Sequence, residues 1–201
     1  DSGGGTVAIK APASTTGNAA LDLTVPGTAS ATLDTLKRTG NILQVVNTTV
    51  TDISTVSCSS SWEDTSITCS ITPSSSSSKI LINLTVTGEG NATDQRRFTH
   101  KIKKVISGGA TSYIQGATVS NRVSHLGSTG DLTNDSTTSA SSFSVSNYMD
   151  TAGSTSAITY TLQITYQSGT GGGTYYINRN ASDGSGSPRF ASWITLMEVA
   201  A

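Results

Sequence analysis

Two histidines, His100 and His125, and two cysteines, Cys58 and Cys69, are the whole supply of imidazole and thiol in 201 residues. A catalytic triad or a zinc site needs such groups brought together, and neither histidine stands at a ligand spacing. His100 shares the parity of Phe98 and Ile102, which predicts an inward, structural place on a strand. The sequence holds no G-x-S-x-G elbow and no P-loop. Gly169–Gly173 lies between two strand patterns, whereas phosphate cradles precede helices, so this run reads as a hairpin loop. Glycoside hydrolysis needs paired carboxylates. Only 13 Asp and Glu are present, and Glu63–Asp64 and Glu89 stand in turn-like contexts. The expectation is no catalytic residue, no metal and no cofactor.

Binding chemistry is better represented. In the segment Arg96–Lys104, Phe98 and Ile102 would face inward on a strand, while Arg97, Lys101 and Lys103 would form an outer basic stripe. Such a stripe either keeps a strand from pairing edge to edge or contacts an anionic surface glycan or a partner subunit. Tyr175, Tyr176, Asn178, Arg179 and Asn180 lie between glycine-rich loops. Aromatic, amide and guanidinium groups together suit sugar or protein recognition, and cross-strand packing explains them equally well. Val56 and Cys58 share one parity, and Ile67, Cys69 and Ile71 another, so both cysteines could point inward on the strands of a hairpin. Two readings stay open: a Cys58–Cys69 disulfide, or two buried thiols acting as small apolar residues. Five N-x-[ST] sequons begin at Asn47, Asn83, Asn91, Asn134 and Asn180, as expected by chance in a chain so rich in Ser and Thr.

The elements that would hold these residues are strands. Ile80, Ile82, Leu84 and Val86 alternate with Leu81, Asn83, Thr85 and Thr87; Ile158, Tyr160, Leu162, Ile164 and Tyr166 alternate with Thr159, Thr161, Gln163 and Thr165. Further strands are predicted over Ile42–Val50, Thr65–Ile71, Arg97–Val105, Ser142–Tyr148, Thr174–Asn178 and Ser192–Val199. Turn signals fall at Pro73–Ser78, Gly88–Gly90, Gly108–Gly109, Gly127–Gly130, Gly169–Gly173 and Gly184–Pro188. No window carries a 3.6-residue apolar stripe. The fold class is therefore all-β: an antiparallel β-sandwich or jelly-roll-like head over residues 41–201.

Residues 1–40 differ. Their scattered apolar residues (Val7, Ile9, Leu21, Leu23, Val25, Leu33, Leu36) are too few to form a core, so they read as an extended connector or shaft end ordered by neighbouring chains. Three copies about one axis would turn these residues toward each other, which predicts a parallel homotrimer. About a third of the chain is Ser or Thr, 34% is hydrophobic and 12% charged, so the core is thin and oligomerisation would add burial. A net charge of −1 gives no case for nucleic acid, and no apolar run approaches a membrane span. The chain begins at Asp1, as a fragment or processed product would, and no signal-peptide pattern is seen.

Ordered blocks resemble the C-terminal regions of fibre-like virion proteins of tailed phages, particularly those of aquatic bacteria. They are Gly40–Val46, Ser70–Pro73 leading to Ser78–Ile82, Gly116–Ala117 with Ser120–Arg122, Tyr160–Gln163, Thr174–Arg179 and Ile194–Val199. Residues 6–36 look like the linking element before such heads. The resemblance implies a trimeric β head on a fibre, displayed on the virion and contacting the host surface or other virion proteins. It transfers no catalytic residue. The expected function is host attachment without catalysis, the alternative a purely structural virion component such as a capsid decoration or tail collar part. A polysaccharide depolymerase is disfavoured by sparse carboxylates and the absence of solenoid repeats.

Overall fold

The structure is a computed structural model that describes residues 38–92, 98–120, 124–129, 140–166 and 172–201. The chain divides into two units, Asp1–Asp34 and Thr35–Ala201. Residues 1–37, and with them most of the predicted connector, lie outside the described residues.

The described residues contain eleven strands and no helix: β1 (Ile42–Val50), β2 (Ser54–Cys58), β3 (Glu63–Ile71), β4 (Lys79–Ala92), β5 (Phe98–Ile106), β6 (Thr111–Ile114), β7 (Gly127–Thr129), β8 (Ser141–Thr151), β9 (Ile158–Tyr166), β10 (Gly173–Ile177) and β11 (Ser192–Val199). They form two antiparallel sheets. In sheet A, β10 lies between β2 and β4, and β8 takes the other edge of β4. In sheet B, β9 lies between β3 and β5, and β6 and β7 follow β5. The pairs β2·β10, β3·β9, β4·β8 and β5·β6/β7 make one long two-stranded ribbon that runs out to β5 and back to β10. Rolling that ribbon closes β4 onto β10 and β5 onto β9, which is a jelly roll. Two strands extend it: β11 runs along Lys79–Thr85 of β4, and β1 covers β11.

The alternation seen in the sequence becomes the core. Ile80, Ile82, Leu84 and Val86 are at most 1% exposed, and they face Ile158, Tyr160, Leu162 and Ile164, which are fully buried. Ile67, Phe98, Ile102, Tyr175, Ile194 and Leu196 complete the same cluster. The odd-numbered residues of β4 through Thr87 are only partly buried, as a one-sided strand requires.

Three expectations are corrected. Gly88–Gly90 is not a turn but part of β4, and Gly127–Thr129 is a strand. A side chain at Gly90 would lie 2.0 Å from the Phe98 ring, and one at Gly127 2.5 Å from Phe143. These glycines let large rings close over the sheets, a use of glycine that mimics a turn signal in sequence. The cysteine hairpin also fails: β2 belongs to sheet A and β3 to sheet B, with Cys58 opposite Gly173 and Cys69 opposite Tyr160. Both cysteines are free buried thiols, which decides between the two readings.

The two ends of the sandwich differ. At one end Gly40 N–H donates to Ala200 O (2.9 Å) and Ala200 N–H to Asn41 O (2.8 Å), and the serine turn 74–78 meets the β8–β9 loop through Ala152 N–H to Ser78 O (2.9 Å). At the other end lies Gly173, paired with Cys58 on one side and Ala92 on the other, and the register pair Phe98 and Tyr166.

Candidate recognition surface

The predicted basic strand is β5. Phe98, His100 and Ile102 point inward and are fully buried, so Lys101 and Lys103 lie on the outer face of sheet B, as the parity requires. Arg97 lies outside the described residues. Within the stripe, Lys103 has a carboxylate partner. Lys103 pairs with Asp64 and also hydrogen-bonds it. Asp64 accepts from Gln163 Nε2 as well (2.7 Å). Burial pushes the Asp64 carboxyl up, but bonds from Lys103 and Gln163 outweigh it and hold it below the usual carboxylate range. Lys104 turns inward and pairs with Asp150 at 2.8 Å, its ammonium also donating to Thr151 O.

Lys101 is different. It is 7% exposed, and its Nζ lies 3.8 Å from the centre of the Tyr113 ring and 4.3 Å from that of Trp62. Burial lowers its pKa. Neither ring was singled out from sequence. Tyr113 sits on the short β6, which has no alternation to reveal it, and Trp62 follows three serines just before β3. The one available signal was a lone tryptophan in a serine-rich turn, where no core explains it.

The second predicted cluster divides between faces. Tyr175 is fully buried, its ring 5.3 Å from Phe98 and 5.9 Å from His100, so it cannot contact a partner. Asn178 is a structural hub: at φ 62° its Nδ2 donates to Val50 O (2.7 Å) and Asp52 O (3.0 Å), and its Oδ1 accepts from Ser192 Oγ (2.7 Å). Tyr176 and Arg179 do stay together near the surface, the guanidinium carbon 4.3 Å from the ring centre. Arg179 and Arg189 both pair with Asp183. Glu89, on β4 opposite Tyr176, is 1% exposed and accepts from Ala181 N–H at 3.1 Å, so it is no turn residue.

At the serine-turn end, Glu198 is fully buried, accepting from Gln44 Nε2 (2.6 Å), Ser74 N–H (2.8 Å) and Ser74 Oγ (2.7 Å). Burial raises its pKa, but the bonds from Gln44, Ser74 and Ser78 prevail and lower it. A serine-lined cleft of about 260 Å³ adjoins this turn and offers neither aromatic ring nor free cation. Among the described residues no group of three or more His, Cys, Asp or Glu is placed to hold a metal.

The outer face of sheet A carries an apolar row. Val45, Met197, Leu81 and Met149 are register partners across β1, β11, β4 and β8. Val45 is 54% and Met149 49% exposed, with Trp193 (41%) nearby. The adjacent row, Asn47, Thr195 and Asn83, is uncharged, Asn47 Nδ2 donating to Thr195 Oγ1 at 2.7 Å. No protein-family model matches the chain, and no curated protein matches its sequence.

Proposed function

We propose that this chain is the head of a homotrimeric virion fibre that attaches to the host cell surface without catalysis. The observation that carries the reading is the exposed row Val45–Met197–Leu81–Met149. A solvated sheet face normally alternates to polar residues, and a contiguous apolar band on it marks a surface that another protein covers. The band bears no charge to repel its own copy. Gly40 and Asn41 meet Ala200 at the serine-turn end, which supports the same reading, because a shaft continuing from residue 40 would leave the opposite end, at Cys58 and Gly173, free. Three weak polar sites would then add through multivalency. The family resemblance supplies the virion context.

Light scattering of the full chain at micromolar concentration should give three 20.5 kDa chains per particle. Val45→Lys and Met149→Lys together should weaken that assembly. Fluorescently labelled chain should sediment saturably with intact aquatic bacterial cells and be displaced by unlabelled chain. A monomer that binds no cells refutes the reading. A stable trimer that binds none favours the purely structural virion component.

A further inference from the structure

An amine and a carboxylate meet between the two sheets. Lys104 is on β5 in sheet B and Asp150 on β8 in sheet A, and their side chains are only 9% and 19% exposed. Lys104 Nζ lies 2.8 Å from Asp150 Oδ2 and donates to Thr151 O at 2.6 Å. The same Oδ2 accepts from the hydroxyl of Tyr160 at 2.8 Å; Tyr160 is fully buried and is the register partner of Lys104. Ile80, the register partner of Asp150, is fully buried as well. One carboxylate oxygen thus takes an ammonium and a phenol together, in a place largely closed to water. The other lysine pair of this strand is unlike it: Lys103 and Asp64 both belong to sheet B, and the Asp64 side chain is 48% exposed. A buried ion pair carries the desolvation of two charges, and a single neutral group in its place would remove that cost.

We propose that Lys104 and Asp150 condense in the folded chain to an amide that ties β5 to β8, with the Tyr160 phenol as proton donor. A nitrogen held against one carboxylate oxygen is one bond length from the carboxylate carbon, and atoms held about 3–3.5 Å apart are placed for attack. A Lys104 proton passes along the hydrogen bond to Oδ2, which leaves a neutral amine and a neutral carboxyl. The amine lone pair then adds to Asp150 Cγ, and the carbonyl electron pair moves onto Oδ1. As the C–Oδ2 bond breaks, Oδ2 takes a second proton from Tyr160 and departs as water. The carbonyl re-forms, and the new amide nitrogen returns a proton to the phenolate. One ammonium and one carboxylate give one amide and one water, and no further reactant is needed. Burial and the charge of Asp150 push the Tyr160 pKa up, so the phenol holds a proton to give. This is chemistry of the chain on itself, and it is independent of the attachment reading. The bond would lock sheet A to sheet B near the end where Ala152 meets the serine turn.

The test is the intact mass of the full chain, measured by mass spectrometry after denaturation. The expected parent mass is that of the sequence less one water. Proteolysis should then yield a branched peptide that joins the residues around Lys104 to those around Asp150. Lys104→Arg keeps a cation facing Asp150 but cannot form the amide, so it should show the full sequence mass and no branched peptide. Tyr160→Phe removes the proton donor alone, and its mass, followed with time after production, should fall at least about tenfold more slowly than the parent's. A parent at the full sequence mass overturns the proposal, whether or not the variants fold. A loss of one water that persists in Lys104→Arg overturns it too, since the loss then arises elsewhere, as by cyclisation at Asp183–Gly184. A branched peptide formed equally fast in Tyr160→Phe overturns the part given to the phenol.

Discussion

His100 should make this domain lose stability well above the pH at which its carboxylates protonate. The ring is fully buried, stacked on Phe143 at 4.5 Å, with Nε2 bonded to Thr129 Oγ1 at 2.7 Å and Nδ1 facing no partner. Burial, aided by the charge of His125, lowers its pKa from 6.5 to about 3. In the unfolded chain the same ring takes a proton near pH 6.5. Between these values the unfolded state binds one more proton than the folded state, so stability is complete above about pH 7 and falls with pH from there down toward pH 3. The slope approaches about 1.4 kcal/mol per pH unit, and the loss from pH 8 to pH 5 is about 2 kcal/mol. Asp64 and Glu198, whose pKa values are lowered, contribute stability that is present above their unfolded values and lost below them, beneath this window. For a domain of this size the loss corresponds to a fall in Tm of roughly 4–8 °C. Thermal melts at fixed chain concentration at pH 8 and pH 5, on the parent and on His100→Gln, read it directly. A parent Tm unchanged between the two pH values refutes the reasoning, as does a His100→Gln protein with the parent's slope. The His100 ring signal in NMR should stay that of the neutral form down to pH 5.

Other perturbations follow from single features. Asn178→Ala leaves three hydrogen-bonding partners unsatisfied and forces an alanine to positive φ, so calorimetry should show a loss of about 3 kcal/mol; Asn178→Gly, which keeps the backbone relaxed, should lose less. Gly90→Ala should cost about 1–3 kcal/mol by pressing a methyl into the Phe98 ring, and Phe98→Leu in that background should recover part of it, a coupling absent if the clash is not the cause. The thiols should be unreactive toward Ellman's reagent in the folded protein, because both are buried and burial, with Glu63, pushes Cys58 up to about 12. Unfolding without reductant should release two thiols per chain, and fewer would indicate a bridge.

The sheet faces were legible because they rest on parity, a property of adjacent residues. Ser192–Val199 shows it plainly, and so does the inward turn of His100, whereas Ile158–Tyr166 is buried on both faces, Thr161, Gln163 and Thr165 included, although its polar residues predict one solvated face. What parity omits is which strand lies beside which. Cys58 and Cys69 pointed inward as read, yet into strands of different sheets, because pairing is fixed by the rolled ribbon and not by nearness in sequence. Tyr175 and Tyr176 were read as one cluster, although successive strand residues must face opposite ways. The Trp62–Lys101–Tyr113 clamp joins a turn, a central strand and a four-residue strand, and only tertiary geometry brings them together.

The position of β11 bears on how the domain comes to be made. This strand, last in sequence order, lies between β1, the first, and β4, so during synthesis both neighbours wait with open edges until translation reaches Val199. The ribbon partners are also distant, Ser54 opposite Ile177 and Glu63 opposite Ile164, so folding depends on long-range pairing and should be slow. A ribosome stalled before Ser192 would release a chain whose β1 and β4 edges can pair with another chain in place of their own β11. A copy that lacks β11 therefore keeps two unpaired strand edges, which favour aggregation.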